Sequence, residues 1–74
     1  MKKVAFVTTT STNVAKGADV LRRARIKNEI IKIQGGTASG CLFGIVVDED
    51  SYSMAKSVLI KANVRVIMER EYPL

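Results

Sequence analysis

The chain has 74 residues, a formal net charge of +5 and 47% apolar residues, with one cysteine and no histidine. That length suits one hydrophobic core, so residues 1–74 are expected to form a single domain, one that buries only about 60% of its unfolded surface. A lone cysteine rules out an internal disulfide, a Cys-x-x-Cys pair and a structural zinc site, and the missing histidine removes the usual base for a Ser or Cys nucleophile.

Lys3 to Thr9 is a short apolar run carrying Val4, Phe6 and Val7, which predicts a strand buried on both faces. It is too short for a signal-peptide core or a membrane span. With an unpaired cysteine this points to a reducing compartment, so a cytoplasmic protein is expected. The run ends in hydroxyls: Thr8, Thr9, Thr10, Ser11, Thr12 and Asn13 offer several helix caps. Val14, Ala18, Leu21 and Ala24/Arg25 then recur at helical spacing, predicting a first helix to about Arg25.

Asn28 to Ile33 alternates in the manner of an edge strand, with Glu29, Ile31 and Ile33 on one side and Ile30 and Lys32 on the other. Gln34 to Gly40 is a glycine-rich connection that ends at Cys41. Leu42 to Val47 is the most continuously apolar segment and predicts a central strand, with Gly44 marking a bulge or a close backbone approach. Asp48, Glu49, Asp50 and Ser51 place acids and caps before a second helix whose buried face is Ala55, Val58, Leu59 and Ala62, ending near Asn63. Val64, Val66 and Met68 alternate with Arg65, Ile67 and Glu69 as a fourth strand, closed by Pro73.

The order βαββαβ is that of the ferredoxin-like split βαβ arrangement, an α+β fold with a four-stranded antiparallel sheet in the order 4-1-3-2 and two helices on one face. In that topology the start of the third strand lies beside the end of the first. Cys41 is thereby expected near Thr8, Thr9 and Thr10, with the start of the first helix and the Gly35 to Gly40 loop at the same sheet end. A helix N-terminus and a glycine turn both present unpaired N–H groups, which stabilise anions and depress a nearby thiol's pKa. The candidate site is therefore Cys41 with Thr9, Thr10, Ser11, Thr12, Ser39 and Gly40 around it. The plainer alternative is Cys41 as a small buried hydrophobe at a strand end.

Other constellations fail. Asp48, Glu49 and Asp50 read as a charged helix start at the other end of the sheet, rather than as a general acid pair. Gly35, Gly36 and Gly40 lack the lysine of a Walker loop. Tyr52, Tyr72, Phe6 and Phe43 are too scattered for an RNA-stacking platform. Neither a cofactor nor a metal is implied.

Charge is uneven, since residues 1–37 hold eight of the twelve Lys and Arg against Asp19 and Glu29. Arg22, Arg23 and Lys27 are candidates for docking a protein partner, while a solvated helix face would explain the same charges. Nucleic-acid binding would rest on Arg22, Arg23, Arg25, Lys27 and Lys32 without aromatic support, and is disfavoured. Dimerisation would offset the thin stability of so short a chain.

Ser39-Gly40-Cys41 before the third strand, together with a first strand ending Phe6-Val7-Thr8-Thr9-Thr10-Ser11-Thr12 and the alanine-bearing helix from Val14-Ala15, resembles a family of small bacterial proteins described as selenium/sulfur carrier-like. The likeness spans almost the whole chain. It implies that Cys41 carries sulfur or selenium for transfer to another protein, as a carrier rather than a stand-alone enzyme. The family pattern often has prolines and an arginine where this chain has Gln34-Gly35-Gly36-Thr37, and a glycine where it has Leu42. The arginine's anion contact is then either missing or supplied from elsewhere, by Lys32, Lys61 or Arg65. The competing reading is a regulatory or interaction module that binds an anionic ligand or a protein partner, with Cys41 structural.

Overall fold

The computed structural model describes residues 2–33 and 42–72. Gly35 to Gly40, Ser39, Cys41 and Pro73, all used in the sequence reading, lie outside the described residues.

The elements are β1 (Lys3–Thr8), α1 (Ser11–Arg23), β2 (Glu29–Ile33), β3 (Leu42–Asp48), a 3-10 turn at Glu49–Ser51, α2 (Tyr52–Lys61) and β4 (Met68–Tyr72). The sheet order is β2-β3-β1-β4, the expected 4-1-3-2 read from the other edge, and every pairing is antiparallel. This is the ferredoxin-like α+β arrangement.

Directly opposed residues of antiparallel strands share a face. Phe6 opposite Ile45 and Val4 opposite Val47 put these side chains on the helix side. There Phe6, Ile45 and Val47 form one buried cluster with Val14 and Leu21 of α1, Ala55 and Leu59 of α2, and Ile26 and Val64 just beyond each helix. Tyr52 closes it by stacking on Phe6, with ring centroids 5.7 Å apart. Ala5, Val7 and Val46, which point to the opposite face, are also buried, as the apolar first run predicts.

Both helices end in the same device. Arg25 and Asn63 have positive φ, 62° and 60°. The N–H of Ile26 donates to the Leu21 carbonyl and that of Val64 to the Leu59 carbonyl, which makes each end a Schellman motif with its apolar contact across the cap. These reversals explain two boundary differences: α1 stops at Arg23 rather than Arg25, and α2 at Lys61.

Three further readings are corrected. The buried stripe of α1 includes Gly17, while Ala18 is only half-buried, because Gly17 sits where a Cβ would lie 2.5 Å from the Ile45 Cδ1. Gly44 makes no bulge: it pairs in unbroken register with Val7 and Ile31, and its missing side chain is filled by Ile31, whose Cγ1 would be 3.0 Å from a Cβ there. The fourth strand begins at Met68, not Val64. Val64 is committed to the cap of α2, and the chain regains the sheet only where the Ile67 N–H donates to the Val7 carbonyl at 2.8 Å.

Candidate functional site

At the end of β1 the backbone register brings several predicted residues together. Thr8 is opposite Phe43, and Phe43 is in turn opposite Lys32. Thr8, Phe43 and Lys32 therefore form one row on the helix side of the sheet, at the strand that follows Cys41 in sequence. Thr8 is fully buried, and its hydroxyl donates to the Thr10 carbonyl at 3.4 Å. That bond removes the cost of burying the hydroxyl and turns the chain towards the helix.

Of the possible caps the structure uses Thr10. Its backbone is extended (φ −128°, ψ 147°), and its Oγ1 accepts from the Asn13 N–H at 3.1 Å. Ser11 and Thr12 occupy the first two helical positions, whose N–H groups have no carbonyl within the helix to bind. No acidic side chain lies in that first turn, so the positive pole of the helix is not neutralised by its own residues. Thr9, Thr10, Ser11 and Thr12 are all exposed. This sheet end thus combines an uncompensated helix N-terminus, four accessible hydroxyls and the nearby row of Lys32. Lys61 closes α2, and Arg65 precedes Ile67, whose N–H meets the end of β1.

The docking candidates are elsewhere. Arg22 and Arg23 lie in the last turn of α1 and Lys27 precedes β2. A thirteen-residue helix is about 20 Å long, so these cations are separated by that distance from the Thr10 cap. Asp19 holds both arginines, with contacts of 2.8 Å to Arg22 and 3.2 Å to Arg23. The predicted site therefore splits into an anion-favouring end and a basic end.

Two concave surfaces escaped the sequence reading. One, of about 560 Å³, lies between α2 and β4 and is lined by Phe6, Leu59, Ile60, Val64, Val66 and Met68 among others. On its rim Lys56 meets the Tyr52 hydroxyl at 3.4 Å and Glu69 at 3.4 Å, and Tyr52 donates a hydrogen bond to Glu69. Those partners, the Tyr52 hydroxyl first and the Glu69 carboxylate second, hold the Lys56 ammonium above its ordinary pKa. The i,i+4 spacing of Tyr52 and Lys56 was a visible signal; the Glu69 contact, seventeen residues from Tyr52, was not. The other surface, of about 690 Å³, lies between the end of α1 and β2, where Ala18, Arg22, Arg25, Ile26, Lys27, Asn28 and Ile30 meet. Arg25 and Ile30 reach it only through the Schellman turn and the β2 register.

Fold and site together define a small ferredoxin-like α+β domain with an accessible hydroxyl-rich helix start at one end of its sheet and a basic groove at the other. The sequence matches no protein-family model and no curated protein. Among the described residues there is no cluster of three or more Cys, Asp or Glu able to hold a metal ion, and no helix is long and apolar enough to cross a membrane.

Proposed function

We propose that this chain is a chalcogen carrier: Cys41 holds sulfur or selenium as a persulfide or its selenium counterpart and passes it to a partner protein. The observation that carries the reading is the pairing of Thr8 with Phe43, with the Thr10-capped start of α1 following directly after β1. The strand entered from Cys41 thus begins beside an uncompensated helix N-terminus. Such a neighbourhood favours a thiolate over a thiol and stabilises a terminal sulfur anion. The resemblance to selenium/sulfur carrier-like proteins supports the same reading.

In transfer, an acceptor thiolate on the partner attacks the outer sulfur of the Cys41 persulfide. A new S–S bond forms on the partner, the Cys41–sulfur bond breaks, and its electron pair leaves with Cys41 as a thiolate. The step is redox-neutral, and because a thiolate attacks and a thiolate leaves it transfers no proton, so a histidine-free protein needs no base for it. A low thiol pKa improves Cys41 as the leaving group.

Alkylation rate against pH tests this on the native chain. The Cys41 thiol is expected to titrate below its usual value of about 8.5, and a titration at or above that value overturns the reading. Intact mass without reductant is expected to show an addition of about 32 Da for sulfur or about 79 Da for selenium, removed by dithiothreitol.

A further inference from the structure

The basic groove beside β2 has features that a solvated helix face does not explain. Arg25 holds a left-handed backbone, φ 62°, at a helix end where glycine would sit without steric cost. It shares a concave surface of about 690 Å³ with Arg22 and Lys27, and the floor is apolar, made by Ala18, Ile26 and Ile30. Ile30 is 49% exposed although it faces the helix side, because α1 stops short of covering it. Among the described residues, no acidic side chain lines the groove. Asp19 holds Arg22, whereas among the described residues Arg25 and Lys27 form no ion pair.

The groove adjoins a sheet edge. β2 and β4 are the two edge strands. β4 carries Glu69, Arg70 and Glu71 in succession, a charge pattern that discourages pairing, whereas β2 presents Ile30 and Ile31 at its centre. A second copy fits poorly here. In the full-overlap antiparallel register centred on Ile31, Lys32 of one copy falls opposite Ile30 of the other and adds a further cation to the arginines and lysine already present. An acidic chain meets the opposite situation.

We propose that β2 is a docking edge for an extended acidic segment of a protein partner, which adds as a strand beside Glu29–Ile33. It would place an apolar side chain on Ile30 and carboxylates towards Arg25, Lys27 and Arg22. Backbone hydrogen bonds to the edge give the affinity, and the groove selects for acid. This assigns a partner chemistry to the docking half of the carrier reading but does not depend on Cys41.

The test is an amide-shift titration of the full chain with the eight-residue peptide Thr-Glu-Thr-Val-Thr-Glu-Thr-Glu, which as a strand presents its valine and glutamates on one face. Controls are a lysine–valine peptide of equal length and an eight-nucleotide oligothymidylate. The glutamate peptide is expected to move the amides of residues 25–33, with an affinity that falls as salt rises. Arg25→Gly is expected to weaken binding about threefold while raising the melting temperature by about 4 °C or more, so that lost binding cannot be lost fold. Cys41→Ser is expected to bind as the native chain does, so a failed carrier test leaves this result standing. Three outcomes overturn the proposal: no movement of β2 amides at millimolar peptide, equal movement with either control, or β2 shifts that grow with protein concentration alone and so signal self-pairing.

Discussion

Gly17 shows how one absent side chain sets the distance between helix and sheet. An added Cβ would meet the Ile45 Cδ1 at 2.5 Å, the Leu59 Cδ2 at 3.1 Å and the Val64 Cγ1 at 3.4 Å. The nearest of these atoms is the tip of a flexible side chain, but Ile45 is fully buried, and close-packed interiors leave a side chain little room to turn. Alanine in a helix gains about 1 kcal/mol over glycine, while overpacking a core costs about 1–3 kcal/mol. Gly17→Ala is therefore expected to destabilise by about 1 kcal/mol, contrary to helix propensity, and thermal melting would show a midpoint about 5 °C lower. A rise in the midpoint would show that Ile45 can give way. At the same scale, the sequence offers Thr8 as one of several possible helix caps; its complete burial and bond to the Thr10 carbonyl make it part of the turn instead.

The elements owe their limits to caps, and the caps were only partly legible. Six consecutive polar residues from Thr8 to Asn13 marked a helix start without selecting one of them, since each is a competent cap alone. The choice of Thr10 follows from where β1 must stop to pair with β3. Thr10→Ala is expected to cost about 1 kcal/mol and to fray the first turn, observable as faster amide exchange at Ser11 to Asn13. If Cys41 draws on that helix start, the same variant raises its thiol pKa, which separates a role in the site from a role in stability. At the other helix end, Asn63→Gly relieves a left-handed backbone and is expected to raise the midpoint slightly, by less than Arg25→Gly does, because asparagine tolerates this conformation better than arginine. The fourth strand was misplaced by four residues because Val64, Val66 and Met68 alternate as a strand would, yet Val64 is held by the Leu59 carbonyl before the sheet is reached.

For the molecule as a whole, stability rests on a small core. A domain of this length has about 4–11 kcal/mol in total, and truncation of a fully buried isoleucine removes about 2–5 kcal/mol. Ile45→Ala, which strips a fully buried side chain of the core cluster where α1 approaches the sheet at Gly17, is expected to lower the melting midpoint by at least about 10 °C. Glu71→Gln, which breaks the exposed contact to Lys2, is expected to change it by less than about 3 °C. Equal effects of the two would mean that surface charge rather than the core limits this fold.

Element order, helix polarity, the edge character of β2 and the apolar centre of β3 were all determined by the sequence itself, because each depends on neighbours within a few residues: periodicity, caps and breakers. From them the ferredoxin-like order of strands followed. Only the tertiary structure decided the register that sets Thr8 against Phe43 and Lys32, the need for glycine at position 17, and the start of β4 at Met68. It also built the groove where Arg25 and Ile30 meet. These features depend on contacts between residues distant in sequence, which local pattern does not encode. The charges of α1 and their place at the far end of that helix from its cap could be read from the chain, but their place beside a strand edge comes from packing alone.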